Sequence, residues 1–336
     1  MYGLRVEQKR MNTREKHRIL ILGGSGTVGS AVAEVFAESG EFEVHSVSRR
    51  STSTIEGVFT HCIDLHASSL VNDLPKIEFD YIVDCAQPRY NAEDVDDFGI
   101  DHIKNIEAIC STRTKRLLYT SGVWVYGSQS GSSVISEKSP LAPLDYAKPR
   151  IPILEYLKES SYPWVQLCLP SIVYGSVGPF QDILRSAYQN DLVSIDDERV
   201  LWSVVERCDL ATAYLSIIER CLSGPVYCIA EPRAVSVVEF FDSIGHALDR
   251  QVSRKSREEL SKIQSREDLE VSFASEPVDS SLIVKDANWI PKHSYVKDFQ
   301  KFIKKEELNQ SAHTTPPDVI HNAPKASSSA RYFRAS

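Results

Sequence analysis

Gly23-Gly24-Ser25-Gly26-Thr27-Val28-Gly29 is the segment of this 336-residue chain whose residue types and spacing most clearly suit a ligand. It follows the apolar run Ile19-Leu20-Ile21-Leu22. It opens a stretch in which Val28, Ala31, Val32, Val35 and Phe36 recur at helical spacing. Strand, glycine turn and helix in that order form a phosphate cradle. Gly23 permits the tight turn, Gly26 lets backbone approach a pyrophosphate, and Gly29 lets helix and strand pack closely. The helix start offers unpaired N–H groups and a partial positive charge to phosphate oxygens. Gly23, Ser25, Gly26, Thr27, Val28 and Gly29 are therefore candidate dinucleotide contacts. Without the flanking strand and helix, the same glycines would mark only a turn.

The end of the second strand selects the dinucleotide. An acidic residue about 20 residues past the loop would hold the ribose hydroxyls of NAD. Here the segment reads Ser48-Arg49-Arg50-Ser51. Guanidinium groups bind phosphate oxygens through a planar fork of donors, so Arg49 and Arg50 suit a 2′-phosphate and favour NADP(H). The alternative is two solvated surface arginines. Asp64, after the third strand, is placed either to accept from the adenine amino group or to cap a helix.

The elements that must position these residues alternate. Apolar or alternating runs at 19–22, 42–48, 58–64, 81–83 and 116–121 read as strands. Helical periodicity lies between several of them, including Val95 to Cys110, and Gly40 is placed to stop the first helix. The expected fold class is α/β, a doubly wound parallel Rossmann sheet covered on both faces, with a smaller C-terminal substrate-binding domain. The expected division is a polar extension at 1–17, the dinucleotide-binding domain at 18–175, the smaller domain at 176–309 and a disordered tail at 310–336. The smaller domain carries helices around Asp209 to Cys221 and Ser236 to Leu248, with a short strand at Val226 to Ile229 between them. The tail is rich in Ser, Pro and Ala.

A formal net charge of −8 argues against nucleic acid or an anionic membrane as partner. No stretch approaches the roughly 18 apolar residues that span a bilayer. The N-terminus lacks the apolar core of a secretory signal, so a cytoplasmic location is expected. The seven cysteines include no CxxC pair, and the nine histidines show no HExxH spacing, so no metal is expected.

With these residues in hand, the chain resembles the extended short-chain dehydrogenases/reductases, the superfamily of NAD(P)-dependent epimerases, dehydratases and dihydroflavonol-reductase-like enzymes. Besides the glycine loop, the resemblance rests on Thr120-Ser121-Gly122-Val123-Trp124-Val125-Tyr126-Gly127 and on Leu169-Pro170-Ser171-Ile172-Val173-Tyr174-Gly175. Asp209-Leu210-Ala211 and Trp289-Ile290-Pro291 extend it. It implies that Gln87, after the fourth strand, contacts cofactor or serves the loop, and that the Pro170 main chain borders the nicotinamide.

The superfamily's catalytic groups are a Ser or Thr after strand five and a Tyr-x-x-x-Lys on the next helix. The lysine lowers the tyrosine pKa, the tyrosine moves a proton, and the hydroxyl holds the substrate oxygen. The resemblance assigns Tyr146, Ser121 and Arg150 to these roles, but the motif is atypical. Arg150 stands where lysine is usual, and Gly122 aligns with the usual Ser/Thr, leaving Ser121 or Thr120 to supply the hydroxyl. Pro149 and Pro152 crowd the helix start, and Pro152 costs a helix interior about 3 kcal/mol unless the helix starts late. Trp124 and Tyr126 either line the substrate pocket or pack in the core. The expected function is NADP(H)-dependent reduction of a carbonyl or imine of a small organic substrate. The alternatives are a nucleotide-sugar epimerase or dehydratase, with Arg185, Arg199, Arg207 and Arg233 available for a diphosphate, and a non-catalytic NADP(H)-binding regulator. A homodimer through Val95 to Cys110 and the helix after Tyr146 is what the resemblance implies.

Overall fold

The computed structural model describes residues 16–49, 55–65, 70–86, 102–106, 108, 116–160, 162–189, 191–222 and 226–303. Arg50, Gln87 and the 310–336 tail lie outside them, as does most of the expected helix at 95–110.

β1 (His17–Leu22) leads through the glycine turn into α1 (Thr27–Ser39), and β2 (Phe42–Ser48) and β3 (Val58–Cys62) follow. After α2 (Leu70–Asp73) come β4 (Tyr81–Asp84), a helical stretch at 102–106 and β5 (Arg116–Gly122). A 3₁₀ turn (Val123–Tyr126) and a 3₁₀ helix (Asp145–Arg150) precede α3 (Ile151–Glu159), β6 (Trp164–Leu169) and β7 (Ile172–Tyr174). The remainder runs α4 (Pro179–Gln189), β8 (Leu192–Ile195), β9 (Leu201–Trp202), β10 (Val204–Glu206), α5 (Arg207–Glu219), β11 (Val226–Cys228), β12 (Val235–Ser236), α6 (Val237–Leu248) and β13 (Val252–Lys255). α7 (Arg257–Ser261), α8 (Arg266–Ser272), α9 (Ser281–Ala287) and α10 (Tyr295–Asp298) close the described chain.

Seven strands form one parallel sheet in the order β11-β6-β5-β4-β1-β2-β3. The order reverses between β1 and β4, and that switch point opens a crevice at the strands' carboxyl ends. The sheet is doubly wound, as the alternation along β1 shows. Ile19 and Ile21 pack in one core with Phe36, Leu118 and Tyr214, while Leu20 and Leu22 pack in the opposite core with Val47, Leu117 and Leu157. A third core, around Phe180, Trp202, Phe240 and Tyr295, belongs to the elements beyond β7.

The chain returns to the main sheet after residue 175. α5 supplies Leu210, Ala211, Ala213 and Tyr214 to the α1 side of the core, and β11 adds the seventh strand beside β6. The α5 cap is Glu206, whose side chain accepts from the Cys208 and Asp209 backbone N–H groups, so Asp209 is free to accept from the His293 backbone instead.

Candidate functional site

The glycine turn is built by two local demands. Gly23 sits at φ +77°, and a Cβ there would also meet the Ala86 backbone at 2.9 Å. Gly29 lies so close to the turn that a Cβ would stand 2.4 Å from the Gly23 carbonyl oxygen. Backbone bonds from Gly23 and Gly24 N–H to the Val47 carbonyl, and from Gly26 N–H to Gly23, close the turn. Gly26 is different. Its φ of −79° suits any residue, and a Cβ would find only Gly23 O, at 3.3 Å. The chain's own packing restricts position 26 less than positions 23 and 29. α1 begins with no side-chain cap on its first N–H groups, and Ser25 and Gly26 are exposed there. The residues fit a pyrophosphate.

Around this turn the site residues separate. Arg49 lies exposed just past β2, and Asp64 is exposed past β3. Asp84 ends β4 fully buried, accepting from the Ala86 backbone N–H at 3.0 Å and paired with His102 at 3.1 Å. Burial opposes charge on His102, but the Asp84 carboxylate outweighs it and raises the imidazole pKa. Nothing in the sequence marks His102 as the partner of Asp84.

At the end of β5 the two candidate hydroxyls divide. Thr120 Oγ1 is engaged with Tyr214 Oη at 2.9 Å. Ser121 Oγ is buried with no hydrogen-bond partner. Gly122, at the superfamily's usual hydroxyl position, is where the Trp124 ring lies. A Cβ on Gly122 would sit 2.3 Å from that ring. Trp124 in turn stacks obliquely on Tyr146 at 5.4 Å between centroids, and the Arg150 guanidinium lies over the Trp124 ring, 5.3 Å from its centre. Trp124 therefore packs with Leu144, Ala147, Val271 and Ala274, and it lies against two of the three expected catalytic side chains, Tyr146 and Arg150. Tyr126 is buried in the core beneath the sheet.

Tyr146 and Arg150 share the 3₁₀ helix rather than an α-helix. α3 begins only at Ile151, so Pro152 falls in its first turn, where a missing N–H costs nothing. Burial, then the nearby Glu276 carboxyl, push the Tyr146 phenol well above its ordinary value, while Arg150 acts against them. Arg150 itself is buried.

Pro170 is buried after β6, and the next residue, Ser171, donates a 2.6 Å bond to Glu276 Oε2. Glu276 is buried with its Oε1 unpartnered, and burial pushes its carboxyl up to about 8. Nothing in the local sequence marks it. Among the described residues, Glu206, Asp209 and His293 lie close enough to hold a metal ion. Their ligand atoms are already committed to the α5 cap and to each other.

The comparisons bear on the fold. Residues 19–151 match the model of the NAD dependent epimerase/dehydratase family. The dTDP-glucose 4,6-dehydratase of Bacillus anthracis, solved with NAD, is 16% identical, with 88% of this chain and 98% of that one covered and a TM-score of 0.69. The UDP-glucose 4-epimerase of Thermotoga maritima, solved with UDP-glucose, is 16% identical over 88% and 99% of the two chains, with a TM-score of 0.69. The UDP-N-acetylglucosamine 4-epimerase of Methanobrevibacter ruminantium, solved with UDP-N-acetylmuramic acid, is 16% identical over 88% and 100%, with a TM-score of 0.70. Comparison with curated proteins gives no significant match. The chain thus has the fold of these solved epimerases and dehydratases, and residues 19–151 resemble the epimerase/dehydratase family. No helix among the described residues is long and apolar enough to cross a membrane.

Proposed function

We propose that this protein is a nicotinamide-dinucleotide-dependent enzyme of the epimerase/dehydratase type, acting on the hexose of a nucleotide sugar. The observation that carries the reading is the buried, unpartnered Ser121 hydroxyl at the carboxyl end of β5, two strands from the glycine turn. Leaving such a group unsatisfied costs about 1–3 kcal/mol, which a ligand oxygen would relieve. The glycine turn and the start of α1 would hold the pyrophosphate, Arg49 the adenosine end and the Pro170 backbone the nicotinamide end. When bound, the dinucleotide supplies a carbon that accepts and returns hydride. Ser121 would fix the substrate oxygen. Tyr146, kept a neutral phenol, would donate to it, and Arg150 would orient the Trp124–Tyr146 pair. The structural neighbours favour nucleotide sugars over a simple carbonyl substrate.

A second reading, NADP(H)-dependent reduction of a small carbonyl or imine, is favoured by two observations. Arg49 stands where an acidic residue would select NAD. Arg185, Arg199, Arg207 and Arg233, the expected diphosphate ligands, are each paired with a carboxylate. One experiment separates these readings from the non-catalytic regulator. Incubate the protein with either dinucleotide and with UDP-glucose, dTDP-glucose or a panel of aldehydes and ketones. Altered sugar with no net change in nicotinamide absorbance supports the first reading. Stoichiometric NADPH consumption with the carbonyl panel supports the second. Tight dinucleotide binding with neither leaves a regulator.

A further inference from the structure

Glu276 has no role in the arrangement above, yet it lies within it. The segment between α8 and α9 carries it back against the cleft. Its backbone N–H donates to Leu201 O at 2.7 Å, and it bridges to Trp202. Ser121 pairs with Cys168 across β5 and β6, and Ser171 follows three residues later, so both serines sit at the carboxyl ends of adjacent strands. Ser171 Oγ donates to Glu276 Oε2 at 2.6 Å, and the Glu276 carboxyl acts on the Tyr146 phenol. Two buried oxygens without a partner among the described residues, Ser121 Oγ on β5 and Glu276 Oε1 beside Ser171 just past β6, thus lie on neighbouring segments at one corner of the sheet's carboxyl edge.

An ionised carboxylate held by one neutral hydroxyl in a buried site is expensive, so the group stays protonated. Burial pushes it up to about 8. With Oε2 accepting from Ser171, the carboxyl proton sits on Oε1. There no described residue offers it an acceptor. A ligand oxygen would supply the acceptor it lacks.

We propose that Glu276 is a proton donor of this site, its Oε1–H binding a carbonyl or hydroxyl oxygen of the hexose and delivering the proton to it. The inference rests on the reading above. When the sugar carbonyl carbon receives hydride, the Oε1–H bond breaks and a new O–H forms on the sugar oxygen. The carboxylate left behind is held by Ser171. In the opposite direction the carboxylate takes the hydroxyl proton as hydride leaves the carbon. Tyr146 and Arg150 on the 3₁₀ helix and Glu270 on α8 are the other charged or titratable groups that face this corner.

The test follows the carboxyl itself, in the full chain labelled with carbon-13 at glutamate carboxyls. One carboxyl should titrate several units above the ordinary range, vanish in Glu276→Gln and move still higher in Ser171→Ala, which keeps the acid and removes its donor. UDP-glucose added to the NADP⁺-loaded protein should shift that titration. Glu276→Gln should bind NADP⁺ as the wild type does, bind UDP-glucose about tenfold more weakly, and turn it over about a hundredfold more slowly. An ordinary carboxyl titration overturns the proposal, as does a Gln variant that binds UDP-glucose like the wild type. Wild-type protein that binds NADP⁺ but not UDP-glucose overturns it too. Failure to bind either dinucleotide would bring down the functional reading itself.

Discussion

The two ends of the cleft obey different rules. At the dinucleotide end, the chain's own backbone dictates the residues. Gly23 and Gly29 are fixed by contacts of 2.9 and 2.4 Å that no side chain could share, and the helix start is left bare. At the proposed catalytic end, a single aromatic ring sets the arrangement. Trp124 lies where a side chain at position 122 would project and contacts Tyr146 and Arg150, so the superfamily's usual hydroxyl has no room. A phosphate cradle tolerates little drift because it is made of main chain. A proton-transfer corner is made of side chains and can be rebuilt from different ones.

The comparison can be broken most forcefully at Trp124. Trp124→Ala empties a buried site and should cost about 3–5 kcal/mol in denaturant unfolding. Gly122→Ser should be destabilising in the wild type but much less so beside Trp124→Ala. The double-mutant cycle should show coupling of about 1–3 kcal/mol, and additivity would mean the ring does not police position 122. Gly29→Ala tests the other end. Its Cβ meets backbone, so a loss of about 3 kcal/mol is expected, with dinucleotide binding abolished in calorimetry. Unchanged affinity would show that the turn can relax.

Tyr146→Phe should slow turnover about a hundredfold while leaving dinucleotide affinity intact. Wild-type turnover would remove Tyr146 from the chemistry and leave Glu276 as the donor. The smallest effect concerns cofactor choice. NADP(H) should bind at least tenfold more tightly than NAD(H), a difference of about 1.4 kcal/mol, and Arg49→Asp should erase or invert that preference in fluorescence titrations.

What could be read from the sequence follows the same division. The glycine turn, β1, β2 and α1 were legible because each depends on residues a few positions apart. The sequence also carried the late helix start. Pro152 is compatible only with a helix beginning near it, and α3 begins at Ile151. Strand Val226–Cys228 was visible as a strand, but its place beside β6 was not, since only the fold brings the chain back to the main sheet. The α5 cap was not marked either, since Glu is not a usual cap type and yet Glu206 takes the Cys208 and Asp209 N–H groups. Glu276 was out of reach altogether. It lies in an unremarkable loop, and its partner Ser171 is distant in the chain.

The contact between Gly178 and Thr27 has a consequence for anyone recombining this protein with its relatives. The loop before α4 rests on the first residue of α1 so tightly that a Cβ at 178 would stand 1.9 Å from Thr27 Oγ1. On the same helix, Glu34 and Ser30 receive bonds from Arg207 at the start of α5. A crossover at residue 175 looks natural, since it separates the front of the chain from the back. It would nonetheless cut through two fitted seams at once. A chimaera built there should fail unless position 178 travels with 27, and 207 with 30 and 34, so the two halves can only be inherited as a matched set.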